Sequence, residues 1–310
     1  MFYWNSLEEA HVELERLNRN TVVTVGNFDG VHRGHQAIIS RVVEWADRTG
    51  GLGLLFSFSN HTDSLLGDKP LFLNQPAVRN VLLAELGLDA CLEIEFNKEF
   101  AGLSPEGFFS NWLVEGLRAK AIVVGYDFKF GAKGRGDFAF LQALGASRGI
   151  NVEQAPPVTV EGEVISSSKI RQLLTDGNLD LANKMLGYHY KITGEVIKGE
   201  QLARSMGFPT ANIRLEPEYL LPAYGVYLVS FTVAGDIYKG IANVGVKPTF
   251  GDYKPLIEVH VFDFDMDLYH RRVQVDFLKF IRPERSFPGI EALKIQIEED
   301  IKQAKDLLQT

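Results

Sequence analysis

Residues 26–35, with the sequence GNFDGVHRGH, decide how the first half of this chain folds. An apolar run at 21–25 leads into this segment and a helical pattern at 36–45 follows it, so the segment is predicted to turn a strand into a helix. Such a turn offers free backbone N–H groups and the positive end of a helix dipole, which together bind phosphate. The turn is therefore a candidate nucleotide site, formed by Gly26, Asn27, Phe28, Asp29 and Gly30.

Two histidines three residues apart, His32 and His35, stand at the end of this turn. Their imidazoles could donate hydrogen bonds to the charge that develops on phosphate oxygens during a transfer reaction. A zinc site is the alternative, but zinc normally takes three or four protein ligands and no third ligand stands at a companion spacing. We therefore predict that both histidines are catalytic and stabilise phosphate. Asp29 also fits the ordinary role of a turn-forming residue.

Strand-like and helix-like segments alternate through the first half of the chain. Strands are predicted at 22–25, 52–58, 91–95, 120–124 and 151–154, and helices at 36–47, 76–86, 105–117 and 137–147. This alternation predicts an α/β domain, a doubly wound parallel sheet with helices on both faces. Ligands of such sheets bind beyond the carboxyl ends of the strands. The turn at 26–35 and the segment at 125–128 both fall at that edge.

The pattern changes near residues 186–190. From 190 to 281 the apolar segments are short, rich in β-branched and aromatic residues, and separated by Gly, Pro, Asn or Asp. This is typical of a small β-barrel. An amphipathic pattern from Ile290 to Leu308 predicts a terminal helix that packs on the barrel. We therefore predict two domains, 1–187 and 188–310, and the fold class α/β plus β.

The composition limits the classes of function. The chain has 310 residues, of which 45% are hydrophobic and 23% charged, and its net charge of −8 argues against a general nucleic-acid binder. The single cysteine, Cys91, excludes an intrachain disulfide and fits a reducing compartment. The first residues do not resemble a signal peptide, and no apolar run approaches the ~20 residues of a membrane span. We expect a cytoplasmic protein that binds neither nucleic acid nor membrane.

A second motif, ISSSKIR at 165–171, is predicted to begin a helix capped by a serine. By itself it fits a solvated helix end. It also fits a phosphate clamp in which Ser167 offers a hydroxyl and Arg171 a guanidinium fork. Together with the turn at 26–35, the motif resembles the signature of the nucleotidyltransferase superfamily, in which an HxGH turn and a downstream serine-and-arginine helix start bind ATP. Ser167 and Arg171 are therefore candidate nucleotide-binding residues.

A third motif, GFPTAN, occupies residues 207–212. Its first half fits a plain turn. Thr210 and Asn212, two residues apart in an extended chain, are predicted to point the same way. A hydroxyl and an amide oxygen on one side form a pair of hard ligands that suits Mg²⁺ bound to nucleotide phosphates. The two residues are candidates for both metal and nucleotide binding.

Glu258 lies in a predicted strand at 256–262, on the face opposite to Ile257 and Val259. A solvated carboxylate is the ordinary interpretation of such a position. A second interpretation arises because the same domain carries Thr210 and Asn212. A kinase that acts on an alcohol needs a carboxylate to orient the hydroxyl and accept its proton. Glu258 is the candidate for that catalytic base.

The chain as a whole resembles the bifunctional riboflavin kinase/FAD synthetase family of bacteria. The resemblance rests on the motifs described so far and on FAGLSPE at 100–106, VGYDFKFG at 124–131, YGVY at 224–227, NVGVKPTF at 243–250, DFDMDLY at 263–269 and FIRPE at 280–284. It implies that the C-terminal barrel transfers a phosphate from ATP to riboflavin, giving FMN. It also implies that the N-terminal domain joins AMP from a second ATP to FMN, giving FAD and pyrophosphate. Riboflavin, FMN and ATP are thus the expected small-molecule partners, and Mg²⁺ the expected cofactor.

The resemblance also implies a role for each candidate residue. Glu258 would be the kinase base, with the Mg²⁺ and phosphates on Thr210 and Asn212. In the other domain, the phosphorus under attack and the leaving pyrophosphate would be stabilised by His32 and His35, and the phosphates held by Ser167 and Arg171. The flavin would lie near Asp127 and Phe128.

Three positions depart from the family pattern. Members commonly carry Pro-His-Pro where this chain has FSNHT at 58–62, Gly-Arg where it has Ala203 and Arg204, and Gly at the position of His270. None of these changes removes a proposed catalytic group. The alternatives are a chain active in one half only, foremost as the kinase, a cytidylyltransferase for another phosphorylated alcohol, and a non-catalytic flavin-binding regulator.

Overall fold

The computed structural model describes residues 1–62, 70–198, 206–215, 218–249, 252–264 and 267–309. The chain divides into two compact units. The first comprises Met1–Pro70 and Arg79–Ser166, and the second comprises Leu71–Val78 and Ser167–Thr310. The domain boundary between residues 187 and 188 rests on the change in sequence pattern, and it stays a prediction.

A parallel sheet of six strands forms the centre of the first unit, in the order β1-β4-β3-β2-β5-β6. Its strands are β1 (Phe2–Trp4), β2 (Thr21–Val25), β3 (Leu52–Phe58), β4 (Ala90–Ile94), β5 (Ala119–Val124) and β6 (Asn151–Gln154). Two short strands, β7 (Thr159–Val160) and β8 (Glu163–Val164), form a separate antiparallel pair. Every residue of β2 and β3 is buried, as expected for strands covered on both faces. The predicted α/β fold is confirmed. The pattern does not predict β1, because three residues are too few to show a period.

Successive residues of the central strands enter two different hydrophobic cores, one on each face of the sheet. Val23 and Leu54 pack into one core, whereas Val22 and Leu55 pack into the other. Cys91 is fully buried in the second core, and this burial raises the pKa of its thiol to about 11. The thiol is therefore a small apolar group in the core and no nucleophile at neutral pH.

The helix α2 (Arg33–Thr49) follows β2 and places its buried face, Ile39, Val42 and Ala46, against the sheet. It ends at Gly50, whose left-handed φ of 64° is a conformation that glycine adopts without strain. The other α-helices in this part of the chain are α1 (Leu7–Leu17), α3 (Pro76–Glu85, whose residues 76–78 belong to the second unit), α4 (Lys98–Ala101), α5 (Pro105–Gly107) and α6 (Phe138–Arg148).

The helix predicted at 105–117 takes an unexpected form. Ser104 caps its start, accepting a hydrogen bond from the Gly107 amide at 3.0 Å. After α5 the backbone widens into a π-helix, Phe108–Gly116. A π-helix has i→i+5 hydrogen bonds. The apolar spacing of a nine-residue segment does not distinguish these from the i→i+4 bonds of an α-helix.

The second unit contains α7 (Ser167–Thr175), α8 (Leu179–Leu186) and a closed antiparallel barrel in the order β10-β13-β12-β11-β14-β9. Its strands are β9 (Lys191–Ile197), β10 (Ala211–Arg214), β11 (Gly225–Val233), β12 (Asp236–Thr249), β13 (Asp252–Val261) and β14 (Arg272–Pro283). Pairing of β9 with β10 closes the barrel, so that it has no open edge. The predicted barrel is confirmed.

The terminal helix α9 (Ile290–Leu307) packs on the outside of the barrel, as predicted. Ala304 is fully buried there against Val226 and Leu228 of β11. Asp300 is 2% exposed and accepts hydrogen bonds from the Arg282 guanidinium at 2.9, 3.1 and 2.7 Å. A buried carboxylate is stable only with such a partner, so the ion pair fixes where α9 lies along β14.

Candidate active sites

The turn between β2 and α2 has an uncommon backbone. Phe28 and Val31 have positive φ angles of 48° and 34°, and Gly30 has one of 85°. A β-branched residue such as valine rarely adopts a positive φ, and backbone strain of this kind is concentrated at functional sites. His32 caps α2, because its Nδ1 accepts a hydrogen bond from the His35 amide at 3.3 Å. The turn and the first turn of the helix are thus one hydrogen-bonded unit.

The structure brings the two histidines together. Their rings stack with centroids 3.6 Å apart, and the His35 ring also stacks on Phe28 at 4.5 Å. Burial lowers the pKa of His32 to about 4 and that of His35 well below its usual value. Both rings are therefore neutral near pH 7. Because Nδ1 of His32 accepts a bond, the proton of this neutral ring is on Nε2, where it can be donated to a ligand.

Acid should weaken the fold through His32. The unfolded chain binds a proton at this histidine below pH 6.5, whereas the folded chain binds it only near pH 4. The stability due to the neutral ring is complete above pH 6.5 and is lost as the pH falls from 6.5 to about 4. Its full loss corresponds to about 3 kcal/mol. Urea unfolding at about pH 7 and about pH 5 should show about 2 kcal/mol of this loss, and a smaller loss in His32→Asn. An equal loss in both proteins would contradict the assignment to His32.

A third histidine supports the turn from the segment FSNHT at 58–62, the segment that lacks the two family prolines. His61 is buried, with its Nε2 3.5 Å from a carboxylate oxygen of Asp29. The amide nitrogen of Asn27 lies 3.3 Å from His61 Nδ1 and 3.3 Å from the Thr62 hydroxyl. An amide nitrogen donates, so His61 Nδ1 accepts and its Nε2–H faces Asp29. Without the prolines, the loop still holds its histidine against the turn.

Arg79 of α3 contacts the turn, a role that the sequence pattern does not predict. Its Nη1 lies 3.3 Å from the Ser57 hydroxyl and 3.5 Å from the Asn27 carbonyl oxygen, and its Nη2 forms an ion pair with Glu93. The Ser57 hydroxyl also donates to the Asn27 carbonyl, at 3.3 Å. Arg79 is 7% exposed, so this network of buried polar groups stabilises the backbone of the turn. No local pattern distinguishes such an arginine from a solvated helix residue, because its partners lie on other elements.

A cavity of about 610 Å³ opens beside the turn, at the carboxyl ends of β2 and β3. We call it the aromatic cavity, because six phenylalanines line it: Phe58, Phe96, Phe100, Phe108, Phe128 and Phe130. Gly26 and Asn27 of the turn form part of its wall, and Lys129 and Lys133 bring positive charge. Phe128 stacks on Phe130 with ring centroids 5.5 Å apart. The cavity suits a flat aromatic ligand with an anionic group. Its lining includes Phe128 but not Asp127, the other predicted flavin residue.

Ser167 and Arg171 lie in the second unit, at the start of α7 and one turn along it. The Arg171 guanidinium donates to the Leu71 carbonyl oxygen at 2.8 Å. Leu71 belongs to the same unit. The joint binding of one ATP by these residues and the histidine turn stays a prediction.

A second cluster of candidate residues lies on the barrel wall. Glu258 of β13 stands directly opposite Asn212 of β10 on one side and Asn243 of β12 on the other. Directly opposed residues of antiparallel strands share a face, with Cβ atoms about 4.5–5.5 Å apart. The neighbouring residues Ile213 and Ile257 point to the other face and are fully buried. The strand register therefore aligns Asn212, Glu258 and Asn243 in one row across three strands.

Asn212 has the properties of a ligand-binding side chain. It is 5% exposed, and its Oδ1 has no hydrogen-bond partner among the described residues. A buried acceptor without a donor is costly unless a bound group completes it. Thr210 precedes β10 in an irregular segment and is partly exposed. The departures at Ala203 and Arg204 lie outside the described residues.

The described part of the chain shows neither a clustered metal site nor a membrane helix. In these ranges no three or more His, Cys, Asp or Glu side chains are grouped so that they could hold a metal ion. No helix within the same ranges has the length and apolar character needed to cross a membrane.

Asn243 is a polar neighbour of Glu258 that its residue type alone does not single out. The register of β12 and β13 reveals it.

Comparisons with known proteins cover both halves of the chain. Residues 14–169 match the family model for FAD synthetase, and residues 186–308 match that for riboflavin kinase. Proteins named bifunctional riboflavin kinase/FMN adenylyltransferase are 40% identical in Pseudomonas fluorescens, over 94% of each chain, and 39% identical in Escherichia coli K12, over 92% of each. A crystal structure described as a macrolide-efflux protein from Streptococcus pneumoniae has a TM-score of 0.86 and 31% identity, covering 93% of this chain and 94% of that one.

Proposed function

The chain belongs to the bifunctional riboflavin kinase/FMN adenylyltransferase family, and from this membership we propose how its residues carry the two reactions. The enzyme phosphorylates riboflavin to FMN and joins FMN to AMP from ATP, giving FAD and pyrophosphate. The resemblance, the fold and the function expected from the sequence are confirmed. Both halves match a family, which favours two activities over the one-half, cytidylyltransferase and regulator alternatives.

The turn at 26–35 is the proposed site of adenylyl transfer. An oxygen of the FMN phosphate attacks the α-phosphorus of ATP, the bond to the bridging oxygen breaks, and pyrophosphate leaves. The protein supplies no covalent step; it aligns the two phosphates and stabilises the charge that moves onto the leaving group. We assign the N–H groups of Gly26–Gly30 and of the start of α2 to the phosphates. Ser167 and Arg171 are proposed to bind the same phosphates.

The stacked, buried histidine pair is the observation that carries this assignment. Neutral rings at the start of a helix donate hydrogen bonds without repelling one another. When negative charge develops nearby, it raises the pKa of an imidazole and strengthens the bond. His32 Nε2 is the proposed donor to the phosphorus centre, and His35 supports the same oxygens. The contact between His61 and Asp29 of the turn supports this arrangement.

The aromatic cavity is the proposed flavin site of this half. Its phenylalanines would cover an isoalloxazine ring, and Phe128 would stack on it or on its edge. The ammonium groups of Lys129 and Lys133 suit the phosphate of FMN, which must reach the turn. Asp127, one residue away along the chain, remains a proposed flavin contact on the family resemblance alone.

The row of Asn212, Glu258 and Asn243 is the proposed kinase site. The riboflavin 5′-hydroxyl attacks the γ-phosphorus of ATP, its proton passes to Glu258, and ADP leaves. A carboxylate in this position orients the hydroxyl and accepts the proton as the new bond forms. Its neighbours in this row are the side chains of Asn212 and Asn243, which are neutral amides.

The residues present fit a bound Mg²⁺. The buried Oδ1 of Asn212 needs a positive partner, and the Thr210 hydroxyl is a second hard oxygen in the same segment. We assign both side chains to the metal and to the ATP phosphates. When bound, Mg²⁺ supplies positive charge that offsets the negative charge of the transferring phosphate.

A single time course tests the two-reaction function. The purified chain, incubated with riboflavin, ATP and Mg²⁺, should produce FMN first and FAD afterwards, as resolved by chromatography of the flavins. FMN that accumulates without FAD would limit the chain to its kinase half. Riboflavin that remains unchanged would overturn the function. A cytoplasmic location, expected from the sequence, stays a proposal that cell fractionation can test.

A further inference from the structure

His260 lies two residues after Glu258 on β13, so the two side chains project from the same face of the strand. Its Nδ1 is 2.9 Å from the carbonyl oxygen of Pro209. A carbonyl oxygen only accepts hydrogen bonds, so the imidazole proton is on Nδ1. Proline has no backbone N–H, so this carbonyl is the one backbone group through which Pro209 can be held. His260 thus ties the strand of the proposed base to the segment that precedes β10.

Two aromatic rings hold the imidazole in place. Phe208 meets it edge-on, with centroids 5.7 Å apart and an interplanar angle of 89°. Phe262, the first residue after β13, meets it at 6.0 Å and 66°. Edge-to-face contacts of this kind are favourable and restrict the orientation of the ring. The Nδ1–H is therefore aimed at Pro209 before any ligand binds.

The contact with Pro209 bears directly on Thr210, the next residue in the chain. The regular strand begins only at Ala211. The position of Thr210 relative to Asn212 and Glu258 therefore depends on how the irregular segment at 206–210 is held. We infer that His260 is a positioning residue of the kinase reaction, which holds this segment so that the Thr210 hydroxyl stands beside Asn212. The inference rests on the proposed assignment of Thr210 and Asn212 to MgATP.

Two substitutions separate the hydrogen bond from the ring. His260→Asn places an amide N–H close to where Nδ1 stands, and His260→Phe keeps a ring but removes the donor. We expect His260→Phe to raise the KM for MgATP in FMN formation by about tenfold, with a smaller effect on kcat, because one hydrogen bond is lost. His260→Asn should return the KM to within about threefold of wild type. FAD formation from supplied FMN should be unchanged in both variants.

A structural measurement accompanies the kinetics. Hydrogen exchange of the amides at 206–210 should be faster in His260→Phe than in the wild type and should slow again in His260→Asn. His189→Phe is the control: this histidine is exposed in the same unit and contacts Asn183, so neither readout should change. Melting temperatures establish that each variant is folded.

The outcomes distinguish the inference from the function on which it rests. A wild-type chain that forms no FMN would overturn the kinase function itself. An active wild type with an unchanged KM and unchanged exchange in His260→Phe would overturn only the positioning role. Equal impairment of His260→Asn and His260→Phe would show that the imidazole acts in another way, which also overturns it.

Discussion

His32→Ala should lower the rate of FAD formation from FMN by about 10²–10³-fold, while FMN formation from riboflavin continues at the wild-type rate. The expected loss is that of a preorganised donor aimed at developing negative charge in a water-poor site. His32 is 5% exposed, and its Nε2–H would be replaced by nothing in the alanine variant. Separate assays, one supplied with FMN and one with riboflavin, measure the two rates by chromatography of the flavins.

The alanine variant also removes the cap of α2, because His32 Nδ1 accepts from the His35 amide. Loss of a cap costs about 1 kcal/mol of stability, which a melting curve detects. His32→Asn is the matched control, since asparagine is a favourable capping residue but lacks the imidazole. We expect it to recover most of the stability and little of the rate. Full activity of His32→Asn would mean that His32 acts only as a cap.

Glu258→Gln should lower the rate of FMN formation by about 10²–10⁴-fold and leave FAD formation from supplied FMN unchanged. Glutamine keeps the size of the side chain and its place between Asn212 and Asn243, but it cannot accept the hydroxyl proton. The two assays used for His32 measure this variant as well. His32→Ala should therefore lose FAD formation and keep FMN formation, whereas Glu258→Gln should lose FMN formation and keep FAD formation.

Glu258→Ala provides the comparison for Glu258→Gln. If proton acceptance is the main role, both variants should be similarly slow, whereas a role in hydrogen bonding alone would leave Glu258→Gln much faster than Glu258→Ala. Full activity of Glu258→Gln would contradict the base. Loss of both reactions in a folded Glu258 or His32 variant would contradict the division of labour between the two halves.

Much of the fold could be predicted because its signals are local. The buried run of β2 and the glycine-rich turn after it lie side by side in sequence, and so do the short apolar segments of the barrel. The elements that were missed lacked such signals. β1 is only three residues long, and the π-helix at Phe108–Gly116 has an apolar pattern that an α-helix shares.

The sequence predicted the residues of the candidate sites more completely than it predicted the residues that surround them. The sequence singled out His32, His35 and Glu258. It did not indicate that Arg79 and Ser57 stabilise the turn through hydrogen bonds to one another and to the Asn27 carbonyl. It carried no sign that Asn243 flanks Glu258. These relations join residues far apart in the chain, and no short-range pattern encodes them.

The sequence by itself determined which chemistry is available and where strands, helices and turns begin, since hydrophobic period, glycine and capping residues act over a few neighbouring positions. The tertiary structure alone decided the protonation of the histidine pair, because desolvation depends on what packs over the rings. It also decided that Glu258 stands between Asn212 and Asn243, because strand register is set by long-range pairing that buries one face of each strand.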